Sequence, residues 1–92
     1  MEEDSDNKVR ITYLVLDVLK PHRPTIVELS RYLAERINTI TTVNTTILEI
    51  DQDTESIKME IYGENLEVDM IKSVLREYGA SVHSVDEVTV EK

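Results

Sequence analysis

A run of β-branched and large aliphatic residues over positions 9–19, stopped by Pro21 and Pro24, constrains the fold more than any other stretch. Such residues favour an extended strand. Alternate side chains of a strand point to opposite faces, and both rows here are largely apolar towards the C-terminal end. A strand of this kind is covered on both faces. We therefore expect helices of the same chain on one face and a neighbouring subunit on the other.

The segment after the prolines carries the signals of a helix N-terminus. Thr25 is a suitable N-cap, and Glu28 three residues later completes a capping box. Apolar residues then recur at spacings of three and four, which makes one apolar stripe; they are Ile26, Leu29, Leu33 and Ile37. The pattern predicts a first helix over residues 26–38.

Two further strands are predicted in the middle of the chain. Residues 39–42 form a connector, and residues 43–50 are again β-branched. Residues 57–62 alternate between apolar and polar with a period of two. The polar segment 51–56 separates the two runs, so we predict a hairpin with its turn there and an end of the second strand at Gly63.

The last part of the chain predicts one more helix and one more strand. The helix covers residues 67–78, and Gly79 provides a left-handed C-cap. Its expected apolar face consists of Met70, Ile71, Val74, Leu75 and Tyr78. Residues 81–90 form the final strand.

The resulting order, strand–helix–strand–strand–helix–strand, is that of an α+β ferredoxin-like sandwich. Two helices cover one face of a four-stranded antiparallel sheet, and the other face stays open. In this topology the first strand lies between the third and the last. Asp17 and Lys20 are therefore expected near residues 81–84.

Composition limits the class of protein. Residues 1–8 are polar and acidic and predict a disordered tail, and residues 9–92 suffice for one domain. The formal net charge of −9 disfavours nucleic acid as a partner. No apolar run approaches the ~18 residues that cross a membrane, and no signal peptide is recognisable. Cysteine is absent, so we expect a cytoplasmic protein without disulfides.

Two stretches resemble an archaeal family of small proteins, the domain of unknown function two-one-one. They are Leu-Asp-Val-Leu-Lys-Pro-His-Arg-Pro at 16–24 and Val-His-Ser-Val-Asp-Glu-Val at 82–88, supported by Val-Asn-Thr-Thr at 43–46. The resemblance extends over residues 11–88. It implies a ferredoxin-like fold, a ring-like homo-oligomer and bound divalent cations such as calcium, but no biochemical activity is established for the family.

Three carboxylates are candidate metal ligands: Asp17, Asp86 and Glu87. Hard oxygen ligands favour calcium or magnesium over zinc. Each has a plainer interpretation. Lys20 or a backbone N–H group satisfies Asp17, whereas Asp86 and Glu87 are solvated side chains that point to opposite faces unless a bulge intervenes.

Four basic or imidazole side chains are candidate ligand-binding residues: Lys20, His22, Arg23 and His83. The first three form a loop suited to an anionic metabolite, although the histidines also fit as ordinary exposed residues. Phosphate-binding loops and catalytic motifs are missing. The sequence thus favours a non-enzymatic oligomeric module that binds divalent cations, and the alternative is a sensor domain that binds an anionic metabolite near residues 20–24.

Overall fold

The computed structural model describes residues 9–92, so the predicted acidic tail at 1–8 lies outside the described residues. Six elements follow one another in the predicted order, which confirms the α+β ferredoxin-like fold. They are β1 (Arg10–Pro21), α1 (Ile26–Arg36), β2 (Ile40–Ile50), β3 (Thr54–Gly63), α2 (Val68–Glu77) and β4 (Ser81–Glu91).

The sheet has the strand order β2-β3-β1-β4, and its neighbouring strands are antiparallel. The expectation that the first strand lies between the third and the last is confirmed. In register, Asp17 of β1 is opposite Lys58 on β3 and Ser84 on β4. Because directly opposed residues share a face, these side chains form one row across the sheet.

The core is aliphatic and lies between the helices and one face of the sheet. Leu14, Leu16 and Val18 alternate along β1 and are buried. They pack with Leu29 and Leu33 of α1 and with a larger set from the other elements: Ile57, Met59, Ile61, Ile71, Val74 and Leu75. The face of β1 with Leu14 is therefore the helix face, and the face with Asp17 is the open face of the sheet.

Helix α1 begins as its sequence predicts. The Thr25 side chain accepts a hydrogen bond from the Glu28 backbone N–H at 3.2 Å, and the Glu28 carboxylate accepts one from the Thr25 N–H at 2.9 Å. The helix ends at Arg36, and Ile37 is its C-cap. The predicted end at residue 38 is two residues too late, because Ile37 has already left helical geometry.

Helix α2 differs from its prediction on one flank. Ile71, Val74 and Leu75 are buried as expected, but Met70 is 49% exposed. The buried face is therefore narrower than the sequence stripe indicated. At the other end Gly79 has φ +93°, in the left-handed region that glycine tolerates best, which confirms the predicted C-cap.

The predicted connector at residues 39–42 is wrong beyond Thr39, because β2 already begins at Ile40. Ile40 is buried and pairs with Gly63 at the end of β3. The approach is close at this point: a Cβ atom on Gly63 would lie 2.2 Å from the Thr39 carbonyl oxygen. The absence of a side chain at residue 63 thus allows the pairing to start early.

Strand β4 does not follow a strict two-residue alternation. Its pairing with β1 shifts register three times, between Ile11 and Tyr13, between Val15 and Leu16, and between Asp17 and Val18. Each shift is a bulge or irregularity that breaks the alternation of faces. Asp86 and Glu87 were expected on opposite faces unless a bulge intervenes, and one of these shifts falls on Asp86.

The strands are much longer than the helices that cover them. Helices of 11 and 10 residues are about 15–17 Å long at ~1.5 Å per residue. Strands of 10–12 residues are about 33–40 Å long. Parts of both edge strands therefore stay uncovered, and their exposed aliphatic residues are Ile47, Leu48 and Ile50 on β2 and Val85, Val88 and Val90 on β4.

Candidate functional site

The predicted site residues lie around the C-terminal half of β1, but on opposite faces of the sheet. Alternation places Asp17 on the open face and Lys20 on the helix face with Leu14 and Leu16. The Lys20 ammonium contacts Glu55 and not Asp17. The interpretation in which Lys20 satisfies Asp17 is therefore wrong, because two residues three apart on a strand face opposite ways.

A shallow depression of about 250 Å³ on the open face brings two of the candidate residues together. It is lined by Asp17, Val18, Leu19, Ser56 and His83. Ser56 of β3, directly opposite Leu19, contributes a small side chain to this lining. The depression thus offers a carboxylate and an imidazole above an aliphatic floor.

Asp86 and Glu87 follow one another through an irregular part of β4. Glu87 is opposite Val15, Val85 is opposite Leu16, and Asp86 lies between these two pairs without a partner on β1. The Asp86 carboxylate accepts a hydrogen bond from the Ser84 hydroxyl at 2.7 Å. Ser84 is itself opposite Asp17, so this serine connects two of the three predicted metal ligands, Asp17 and Asp86.

A complete metal site is not present within one copy of residues 9–92. This part of the chain has no group of three or more His, Asp or Glu side chains arranged to hold an ion. Calcium takes six to eight oxygen ligands, of which Asp17 and Asp86 supply a minority. The prediction of calcium or magnesium at Asp17, Asp86 and Glu87 stays a prediction that needs ligands from elsewhere.

On the helix face, Lys20 is buried at 1% exposure and its ammonium is surrounded by acceptors. It donates to the Glu55 carboxylate at 2.7 Å, to the Pro21 carbonyl at 2.7 Å and to the His22 carbonyl at 3.4 Å. These three acceptors match its three N–H groups. The hydrogen bond from Lys20 is the main cause that holds the pKa of Glu55 below its ordinary value.

His22 joins the same cluster from the loop between β1 and α1. Its Nε2 lies 2.8 Å from the Gln52 carbonyl oxygen, and its Nδ1 lies 3.1 Å from the other oxygen of Glu55. The pKa of His22 is raised, first by the hydrogen bond to the Gln52 carbonyl and then by that to Glu55. Of the predicted loop residues, Lys20 and His22 thus bind within the chain, and Arg23 is exposed.

Two partners in these networks were missed by sequence reasoning. Glu55 lay in a segment interpreted as a polar turn, and nothing local signalled that it would meet Lys20.

Glu60 lies on the open face, where one carboxylate oxygen accepts from the Tyr13 hydroxyl at 3.0 Å and the other from the Asn44 amide at 2.9 Å. Burial, followed by the hydrogen bond to Glu60, raises the pKa of Tyr13. The alternation of residues 57–62 was the available signal, because it places Glu60 on the polar face.

The described residues contain no candidate for a membrane-spanning helix. Over residues 9–92, neither the length nor the apolar character of any helix is sufficient to cross a membrane.

Comparison with known proteins identifies the family. The model of the family DUF211, described as uncharacterized ArCR, matches residues 12–92. The uncharacterized protein MJ0319 of Methanocaldococcus jannaschii is 43% identical over 82 residues, which cover 89% of this chain and 84% of that protein. The match includes both stretches on which the resemblance rested, residues 16–24 and 82–88. This protein therefore belongs to the DUF211 family.

Proposed function

We propose that this protein is a non-enzymatic homo-oligomeric module whose subunits pack through the two edge strands, β2 and β4, into a closed, ring-like assembly. The observation that carries the proposal is the exposure of aliphatic side chains on both edges of one sheet. Val85, Val88 and Val90 on β4 are 41–52% exposed. Ile47, Leu48 and Ile50 on β2 are 38–62% exposed.

The occupant that best suits these edges is a second copy of the chain. An edge strand has a row of unpaired N–H and C=O groups, and natural proteins usually protect such edges with charge or cover. In this chain each edge strand has 11 residues and carries three exposed aliphatic side chains among its polar ones. In the order β2-β3-β1-β4 the two edge strands run antiparallel, so β4 of one copy beside β2 of the next continues an antiparallel sheet.

The charge of the chain also favours this occupant over nucleic acid. A formal net charge of −9 repels the polyanionic phosphate backbone and also repels a second copy, so contacts between aliphatic side chains must outweigh the repulsion between copies. A chain of 92 residues buries a modest core, and association adds buried apolar area. Self-association therefore provides stability that a small single domain lacks.

Divalent cations form the second part of the proposal. A neighbour on the β4 edge would bring its own oxygen atoms close to Asp86 and Glu87, and calcium or magnesium would then have ligands from two copies. This arrangement accounts for the incomplete ligand set of a single chain. Asp17, on the other side of Ser84, is the third carboxylate that we expect to take part.

Size-exclusion chromatography with light scattering tests the oligomer. We expect the wild type to elute as a defined multimer, and Val88→Lys on β4 or Leu48→Lys on β2 to elute as a chain of 10.6 kDa. Val27→Lys is the matched control, because Val27 is 63% exposed on α1 and away from both edges. A monomeric wild type, or edge variants that keep the multimer mass, would overturn the proposal.

Thermal unfolding with and without calcium, with native mass spectrometry before and after a chelator to count bound ions, tests the cations separately. We expect calcium to raise the Tm of the wild type, and we expect Asp17→Asn and Asp86→Asn to reduce that rise. Asp69→Asn, an exposed carboxylate in the first turn of α2, is the control. An unchanged rise in Tm in Asp17→Asn and Asp86→Asn would show that these carboxylates do not bind the cation. The oligomer proposal would not be affected by that result.

A further inference from the structure

Both ring nitrogens of His22 face hydrogen-bond acceptors. Nε2 lies 2.8 Å from the Gln52 carbonyl oxygen, and Nδ1 lies 3.1 Å from a carboxylate oxygen of Glu55. A carbonyl oxygen accepts only, so Nε2 carries a proton. An ionised carboxylate also accepts only, so the Nδ1 contact is a hydrogen bond when that nitrogen is protonated too. The geometry therefore suits the imidazolium ion.

Loss of the Nδ1 proton turns the attractive contact between His22 and Glu55 into a repulsive one. The neutral ring keeps its Nε2 proton for the Gln52 carbonyl and turns the Nδ1 lone pair towards the Glu55 carboxylate. Two acceptors then face each other at hydrogen-bond distance, which is repulsive. The other neutral tautomer does not help, because a proton on Nδ1 leaves the Nε2 lone pair facing the Gln52 carbonyl oxygen.

The charges around His22 come from two strands. Glu55 of β3 favours the charged ring, and Lys20 of β1 opposes it. Lys20 is itself neutralised by Glu55 at 2.7 Å, so the carboxylate serves both cations. Glu55 is only 12% exposed at its side chain, which keeps solvent from screening these contacts, whereas the His22 side chain is 42% exposed and exchanges protons freely with water.

His22 connects two segments that are otherwise separate in sequence. Its backbone belongs to the loop between β1 and α1, and its ring contacts the turn between β2 and β3 through Gln52. We propose that His22 is a proton-operated latch between the β1–α1 loop and the β2–β3 turn. Its charged ring is held by both Glu55 and Gln52, whereas its neutral ring is repelled by Glu55 and holds the turn only weakly, through Gln52. Lys20 and Glu55 stay paired in both states and form the fixed side of the latch.

NMR titration of the full chain tests whether the surroundings of His22 favour its charged ring. We expect the ring of His22 to titrate above the ordinary histidine value of about 6.5. In Glu55→Gln its titration should move back towards that value, because the charge that favours the imidazolium is lost. A His22 that titrates at or below the ordinary value in the wild type overturns the latch.

Amide exchange tests whether the neutral ring holds the turn more weakly. The Asp51 N–H donates to the Thr54 carbonyl at 2.8 Å and reports closure of the turn. Between about pH 5.5 and 8.5, on either side of the ordinary histidine value, we expect its protection to fall several-fold after correction for intrinsic exchange. In His22→Gln the protection should no longer depend on pH, and in His83→Gln the dependence should be that of the wild type. A pH dependence that persists in His22→Gln would contradict the proposal.

Discussion

Lys20 is a charged residue in a buried position, where lysine is rarely found. Lysine is almost never fully buried unless it is paired, and here the pairing is complete, with one carboxylate and two carbonyl oxygens around the ammonium. The cost of removing this charge from water is offset only while Glu55 stays ionised. The stability of the C-terminal end of β1 therefore depends on the ionised carboxylate of Glu55.

Glu55→Gln should lower the Tm by more than His22→Gln does, because it leaves a buried ammonium without a counter-charge. The double variant Lys20→Met with Glu55→Gln should recover part of the loss, since methionine fills the space without a charge. Thermal unfolding of the three variants at one pH measures the order. A double variant less stable than Glu55→Gln would show that Lys20 is not held by this charge.

Gly63→Ala should destabilise the protein by about 1–3 kcal/mol or more, as expected for overpacking. The added Cβ would lie 2.2 Å from the Thr39 carbonyl oxygen, and this neighbour is backbone that cannot rotate away. Gly79→Ala is an instructive comparison, because its Cβ would make only an ordinary contact, 4.0 Å from Pro21 Cγ, and its cost of about 1–2 kcal/mol arises from positive φ. Urea unfolding distinguishes the two, and Gly79→Asn, but not Gly63→Asn, should be tolerated.

Elements whose signals are local were predictable from the sequence. The capping box at Thr25 and Glu28 and the glycine after α2 are short-range patterns, and both are present. The bulges of β4 were not predictable, because they arise where β4 pairs with a strand some seventy positions away. The contact of Lys20 with Glu55 joins residues 35 apart, so no local pattern could reveal it either. The helix–strand order was therefore accessible, and the partners within the candidate site were not.

Thr25→Ala should cost about 1 kcal/mol, the usual value for loss of an N-cap side chain. It removes the acceptor of the Glu28 N–H and leaves that donor at the start of α1 without its partner. Thr25→Ser keeps the hydroxyl and should stay close to the wild type. The free energy of unfolding from urea titration gives the comparison; equal stability of the alanine and serine variants would mean that the capping box does not stabilise α1.

The whole molecule should be most stable between about pH 4.5 and 6.5. Glu55 and Glu77 have lowered pKa values, caused first by hydrogen bonds from Lys20 and Arg36, so their contributions are present above the ordinary glutamate value of 4.5 and are lost as the pH falls. His22 has a raised pKa, so its contribution is complete below 6.5 and is lost as the pH rises through its value in the folded state.

A series of Tm measurements across pH checks this window. The decline on the alkaline side of neutrality should be smaller in His22→Gln, whereas most of the acid decline should persist, because the hydrogen bond from Lys20 is the main cause of the lowered pKa of Glu55. Repulsion among nine excess negative charges adds to the alkaline decline in both proteins, and added salt should reduce that part alone. A stability that rises steadily from pH 6 to 8 would contradict the assignment.

The irregular pairing of β4 also bears on how the protein avoids fibre formation. Amyloid-like growth requires long, regular strands that template one another without interruption. Three register shifts break β4 into short paired stretches, and two more, between Ile40 and Thr42 and between Ile47 and Glu49, break β2. Each break turns the backbone away from a straight ladder. In the oligomer proposed above, each copy would therefore join its neighbour over a few residues only, and the breaks would oppose endless strand-by-strand polymerisation.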